Sequence, residues 1–493
     1  MKIFIYNTYI SIIPYKLGDS KTIEKALSVW DKGTFSYSMS FYKYNEENEE
    51  LRIPSAFPFY LIKREIVDKN NAEVIDCRTN VYKKDINSKI EMKYSPRNNI
   101  QVKAIDFLNN NKDISQKFLS LNTGDGKTFC SLYFVFRRKL KPIIFVSSNK
   151  LVEQWKEKAI EYSDIKEEEI YIISGKKSVE KIISMDNNEG DNYRLIIASH
   201  KTIISQMEKM QLILEKLKVS IKIFDEAHLD MENIFKINVS TDYPTLYLTA
   251  TPSRSNQEEN HVYQNMYKEI VKFKSDNRSI VERKEKYHNA FIFKFNSNPS
   301  EEFIADFKKK SRTRGFNIPM YTSYIMEYNY DIYLSMIYKL IHDIILNNGN
   351  IIRKTVILVK SIDLLESLKA DIEEKLEDDK IDISVSRFHS KVPKKEKETS
   401  LDSNLIFSTD SSLSTAIDIP NLEVVLSLIP TSSEVLTTQM LGRLRYIKGK
   451  EVYYFDLVDK GFKECVNQLY KRKKNVYLKR CKVVKEVNLW KTF

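Results

Sequence analysis

Residues 123–128 read Thr123-Gly124-Asp125-Gly126-Lys127-Thr128, directly after an apolar stretch. A glycine loop that closes on Lys-Thr at the start of a helix offers backbone N–H groups to phosphates. Lys127 is then placed to neutralise the outer ones, and Thr128 to set its hydroxyl on magnesium. Further on, Ile223-Phe224-Asp225-Glu226-Ala227-His228 puts two carboxylates at the end of a buried strand. Asp225 can hold the metal through its water shell, while Glu226 can orient and deprotonate an attacking water. The two strings together supply what hydrolysis of a nucleoside triphosphate needs, and they predict a motor.

Outward from these strings, short apolar runs alternate with charged helical stretches: Pro142–Val146, Leu195–Ala198, Ile221–Phe224 and Leu246–Leu248. Buried parallel strands read this way, and the alternation argues for a doubly wound α/β domain. The pattern thins after Pro252 and resumes at Thr355–Val359, Ile381–Val385, Leu405–Phe407 and Val424–Leu426, which predicts a second such domain. The expected organisation is a small β-rich or α+β accessory domain over 1–92, a nucleotide-binding domain over 93–280, a second domain over 281–460 and a basic tail over 461–493. That tail holds ten Lys or Arg against two Glu.

Composition narrows the partner. The chain has 493 residues, 42% hydrophobic and 30% charged, with a formal net charge of +12. Such a balance favours a polyanion. Cys77, Cys130, Cys465 and Cys481 have no paired spacing and read as reduced thiols, neither a zinc site nor a disulfide frame. The run Ile332–Leu346 carries Lys339, His342 and Asp343, so it reads as a packed helix and not a membrane span. The expected place of work is inside a cell.

More strings follow in one order. Pro96-Arg97-Asn98-Asn99-Ile100-Gln101 opens a helical run, and the Gln101 amide could pair with an adenine edge. Ser148 to Trp155, Ser199-His200-Lys201-Thr202 and Leu248-Thr249-Ala250-Thr251-Pro252 each stand at the carboxyl end of a predicted strand, where open α/β sheets bind ligands. Thr409 to Pro420 and Gln439-Met440-Leu441-Gly442-Arg443-Leu444-Arg445 complete the set, the last with two guanidinium groups expected near a helix start. Two basic runs, Lys308–Gly315 and Lys471–Lys474, could contact phosphates, or be solvated faces. Trp490 could stack on a base or close a core.

This ordered set resembles the motifs of superfamily 2 helicases over about residues 95–460. In detail it is similar to the branch that holds XPB, the phage UvsW helicase and related viral helicases. The resemblance implies two tandem RecA-like domains behind a small N-terminal domain, with ATP and Mg2+ between them and nucleic acid across both. Residue by residue, it implies nucleotide contacts from Arg97, Gln101, Thr123, Gly124, Asp125, Gly126, Lys127, Thr128, Asp418 and Gln439. Catalysis would fall to Lys127, Asp225, Glu226, Arg443 and Arg445, with Thr128 and Asp225 toward the metal. Thr249 and Thr251 would couple the ATP cleft to the nucleic acid. Gln154, Ser199, Lys360, His389 and Thr409 would face the nucleic-acid backbone.

Leu121, Ala416 and Tyr446 depart from the family pattern, the last standing where a second arginine is usual. The function implied is an ATP-dependent DNA helicase or translocase acting on forks, displacement loops and R-loops in replication, recombination or repair. It would work as a monomer on DNA in the cytoplasm, a host's if the protein is viral or phage. An RNA helicase, and a binding module whose ATPase has decayed, are the alternatives.

Overall fold

The computed structural model describes residues 1–31, 36–79, 90–111, 114–121, 124–186, 188–250, 257–274, 286–311, 316–414, 419–447 and 449–489. The chain divides into two units, Met1–Asp276 and Asn277–Phe493.

In the first unit, seven parallel strands lie in the order Ile170–Ile173, Leu195–Ser199, Pro142–Val146, Ile221–Phe224, Thr245–Thr249, Gln116–Ser120, Val271–Lys274. Every residue of Pro142–Val146, Leu195–Ser199, Ile221–Phe224 and Thr245–Thr249 is buried, so both faces of the sheet are covered. Parallel neighbours need crossovers, and the helices between these strands provide them. Lys127–Arg137 is one, with Phe129, Leu132, Phe134, Val135 and Phe136 buried. The loops after Gln116–Ser120, Pro142–Val146, Leu195–Ser199, Ile221–Phe224 and Thr245–Thr249 therefore leave from one end of the sheet.

Residues 1–76 add a five-stranded mixed sheet, ordered Lys43–Asn45, Glu50–Pro54, Tyr9–Ile13, Lys2–Ile5, Glu73–Asp76. A separate ribbon pairs Ser28–Asp31 with Ser36–Ser40. This small domain shares a hydrophobic core with the larger sheet. Phe41 meets Phe235 edge to face at 5.8 Å, and the Gln116 side chain donates to the Asn7 carbonyl at 2.6 Å.

The second unit repeats the plan with seven parallel strands, ordered Val385–Phe388, Leu405–Thr409, Thr355–Val359, Val424–Ser427, Val452–Asp459, His288–Phe295, Cys481–Asn488. Two RecA-like domains in tandem behind a small N-terminal sheet domain is the architecture. One strand expected at Ile381–Val385 instead runs Val385–Phe388.

The segment expected as a basic tail is instead part of this sheet. Cys481–Asn488 pairs with His288–Phe295 as an edge strand, and helix Lys463–Arg472 packs before it. Within the run Lys471–Lys474, Arg472 is buried and grips the Asp456 carboxylate from Nε at 3.1 Å and Nη2 at 2.8 Å. One cation of that run thus serves the fold. Lys308, Lys309 and Lys310 lie exposed in the last turn of helix Glu301–Ser311, where positive charge suits the helix dipole. Residues 312–315 of that run lie outside the described residues, as does Trp490.

Candidate functional site

The glycine loop connects strand Gln116–Ser120 to helix Lys127–Arg137. Gly124 and Gly126 have φ of +86° and +95°, a region open to glycine at little cost. At Gly126 a Cβ would also stand 2.3 Å from Gln101 Nε2, so a side chain there would displace the Gln101 amide. Gln101 and Arg97 brace the loop. Gln101 Oε1 accepts from the Arg97 N–H at 2.9 Å, its Nε2 donates to the Asp125 carbonyl at 3.0 Å, and Arg97 donates to the Gly124 carbonyl. The amide expected to read adenine is thus engaged by this chain's own backbone.

The carboxylates leave the carboxyl end of strand Ile221–Phe224, which is separated from the glycine loop's strand by Thr245–Thr249. Asp225 N–H donates to Phe145 O and Ala227 N–H to Leu248 O, so the string stays tied to the strands on either side. Glu226 sits at φ +47°, in the left-handed region that a non-glycine residue adopts only under constraint. That turn aims its side chain at the glycine loop. Lys127 Nζ and Glu226 Oε1 form a 3.1 Å ion pair, both side chains largely buried. Glu226 Oε2 is buried and has no hydrogen-bond partner among the described residues. His228 Nδ1 lies 3.3 Å from it and shares a 2.7 Å hydrogen bond with Thr249 Oγ1.

Charge separates the two acids. Burial, reinforced by the neighbouring Glu226 charge, pushes the Asp225 carboxyl up to about 6. Burial also opposes ionisation of Glu226, but Lys127 and then His228 outweigh it and hold its carboxyl below the usual range. Asp225 is oriented from both sides: Oδ2 accepts from the Trp155 indole N–H at 2.8 Å, and Oδ1 accepts from the Glu226 N–H at 2.9 Å.

These residues fit a triphosphate and a hydrated divalent ion. A glycine-lined loop opens onto a helix N-terminus, Lys127 stands beside it, and Glu226 keeps a buried oxygen unbonded among the described residues. Among the described residues no three His, Cys, Asp or Glu side chains gather as a metal cluster, so an ion there would need phosphate oxygens and water in its shell.

Other expected residues fall on the same edge with different partners. Gln154 is half-buried on helix Asn149–Tyr162. Ser199 caps helix His200–Ile204, accepting from Thr202 N–H at 3.2 Å and donating to Thr202 Oγ1 at 2.9 Å, so its hydroxyl is committed locally. Trp155 and His228 were not singled out by sequence reasoning. Their signal was their place inside two quoted strings, but only folding shows which atoms they reach. Leu121 is fully buried, and its N–H donates to the Thr249 carbonyl at 3.1 Å, which extends the strand pairing.

In the second unit, Lys360, His389 and Thr409 stand at the carboxyl ends of three adjacent strands. Lys360 Nζ pairs with Asp410 Oδ2 at 2.6 Å, and His389 Nε2 with Glu366 Oε1 at 2.6 Å. Gln439 and Arg443 lie one turn apart on helix Glu434–Arg443. Arg443 ends this helix, where a helix start was expected, and its Nη2 donates to the Leu413 carbonyl at 2.7 Å. Arg445 is exposed in the following loop. Thr123, Thr251, Ala416 and Asp418 lie outside the described residues.

Two family models match the chain. Residues 81–254 match "Type III restriction enzyme, res subunit", and residues 335–446 match "Helicase conserved C-terminal domain". The transcript termination protein A18 of fowlpox virus is 22% identical over 333 residues, which span 66% of this chain and 66% of that protein. S. cerevisiae Dbp5, solved with RNA and ADP BeF3, superposes with a TM-score of 0.52 at 16% identity, over 80% of this chain and 90% of that one. T4 UvsW aligns over 99% of both chains at 14% identity with a TM-score of 0.36, too low to bear on the branch. No helix among the described residues is long and apolar enough to cross a membrane. With both motor domains matched in order on two all-parallel seven-stranded sheets, the chain belongs to the superfamily 2 helicases, a family of nucleic-acid-dependent ATPases.

Proposed function

We propose that this protein is an ATP-driven motor that tracks along DNA and remodels strands at forks, displacement loops and R-loops. The observation that carries the reading is the intact catalytic edge: glycine loop, Lys127 and Glu226 in contact, with Asp225 oriented beside them. The same observation weighs against a decayed ATPase.

In this reading Thr123 to Thr128 cradle the triphosphate, with Arg97 and Gln101 keeping the loop open. Lys127 exchanges Glu226 for the outer phosphates. Glu226, ionised and released, then takes a proton from the attacking water. Thr128 and Asp225 would hold Mg2+, which when bound would neutralise phosphate charge. Gln439, Arg443, Arg445 and Asp418 are assigned nucleotide contacts, and Thr249 with Thr251 the relay of its state to the nucleic-acid side. Gln154, Ser199, Lys360, His389 and Thr409 line the backbone path. The net charge of +12 supports a polyanionic track. Residues 1–92, 93–280 and 281–460 serve as accessory, first and second motor domains. The strings Leu151–Trp155, Leu248–Pro252 and Ile417–Pro420 favour the XPB and UvsW branch, and with it a DEAH-type role in recombination or repair, in a host cytoplasm, as a monomer on DNA.

RNA as the strand acted upon is the second reading, favoured by the name of the fowlpox relative and by the RNA held in the Dbp5 structure. Steady-state ATP turnover with no nucleic acid, single-stranded DNA, a four-way junction, an R-loop and RNA in parallel tests both. Stimulation by DNA, greatest with branched forms, is expected. Stimulation by RNA alone would replace the DNA reading, and no turnover under any condition would refute the motor.

A further inference from the structure

Trp155 is the largest fully buried side chain of the described residues, yet its polar atom is not spent on the core. Its indole N–H points at Asp225 Oδ2, 2.8 Å away, seventy residues along the chain. An indole is a donor only and cannot accept, so this contact fixes the direction of one carboxylate oxygen. The other oxygen is held by the Glu226 N–H, so the Asp225 plane is set by one side-chain donor and one backbone donor. The backbone donor belongs to the strained turn itself and moves with it. Trp155 instead sits on helix Asn149–Tyr162, directly after Gln154.

We infer that Trp155 is a positioning residue, which orients the Asp225 carboxylate toward a divalent cation through its indole N–H. The inference rests on the reading of Asp225 given above. A partner that orients a metal carboxylate commonly alters metal affinity ten- to a hundredfold when lost. The burial of the ring explains why a bulky apolar residue stands here. It does not explain the N–H meeting Oδ2, a contact that no purely apolar ring could make. The same helix carries Gln154 toward the proposed nucleic-acid path, so a shift of the helix on binding would move the donor that holds Asp225.

The test is the magnesium dependence of nucleotide binding, read by a fluorescent ATP analogue without turnover. Trp155→Phe should bind the analogue normally in EDTA but need about tenfold more Mg2+ for half-maximal tightening. In an Asp225→Asn background the same change should add nothing. An unmoved midpoint, or an equal shift in both backgrounds, would reduce Trp155 to core packing. If Asp225→Asn alone leaves the Mg2+ midpoint where it was, the reading of Asp225 fails first. A second measurement needs no change at Trp155. The chain has 3 tryptophans, Trp30, Trp155 and Trp490, so Trp30→Phe with Trp490→Phe leaves Trp155 as the sole tryptophan, excited selectively over tyrosine at the red edge of absorption. Its emission should shift when Mg2+ joins bound nucleotide and stay still with nucleotide in EDTA. No Mg2+-dependent shift would overturn the inference.

Discussion

Glu226 concentrates the chemistry of the site in one side chain: a left-handed turn, one oxygen on Lys127 and one buried oxygen without a bond among the described residues. Replacing it by Gln keeps the shape and removes the base. Turnover should fall by at least about a hundredfold while nucleotide binding survives, as measured by paired turnover and binding assays. Near-normal turnover would remove Glu226 from water activation. A different residue, Lys222, shows what the sheet tolerates. It is fully buried in strand Ile221–Phe224 and donates to the Thr241 carbonyl and hydroxyl at 3.0 Å each. Burial depresses its ammonium to about 7, well below the ordinary value near 10.4. The unfolded chain therefore binds more protons between those pH values, and stability rises with pH across that window. Below about pH 7 the full penalty is present. Lys222→Met should thus stabilise the fold at pH 7, by on the order of 2 kcal/mol after the lost bonds are counted. The gain should shrink toward pH 10 in denaturant titrations, and a pH-independent gain would contradict the burial argument.

Elements differ in how visibly they announce themselves. Central strands such as Pro142–Val146 and Thr355–Val359 are continuous apolar runs because both faces are covered. The edge strands Val271–Lys274 and Cys481–Asn488 mix lysine with apolar residues, as exposed edges do, and escape a search for apolar runs. The basic C-terminal segment misled for this reason: its composition is that of a tail, and its helix and strand complete a sheet. The ion pair of Arg472 with Asp456, joined by the Tyr477 hydroxyl at 2.7 Å, is the pin of that arrangement. Arg472→Ala leaves a buried carboxylate unpaired and should cost about 3–5 kcal/mol. Lys471→Ala, at an exposed position of the same run, should cost almost nothing by thermal melting. Equal effects would mean that the run acts as a solvated face after all.

At the scale of the whole molecule, the small N-terminal domain is built into the first unit. Asn7, Thr8, Phe41, Ala56 and Arg52 make hydrogen bonds or ring contacts with residues of the larger sheet domain. Among the buried residues of their common core are Phe57, Phe118, Phe235, Ile237, Tyr263 and Tyr267. A chain beginning at Ile90 should expose that face, fold poorly, and lose at least about 10 °C in melting temperature or its solubility altogether. A truncated protein that melts like the full chain would show that the domain is an appendage.

The sequence by itself determined that a phosphate loop and a carboxylate pair stand at the ends of buried strands, because glycine spacing and apolar runs are local and need no partner to be read. It determined two α/β domains for the same reason. What only the tertiary structure decided is who meets whom. Glu226 pairs with Lys127 across ninety-nine positions, Trp155 reaches Asp225 across seventy, and Arg472 turns inward from a run of exposed cations. Those partnerships arise where crossovers bring distant loops to one sheet edge and where a buried charge must find its counterpart, and neither condition leaves a mark on neighbouring residues.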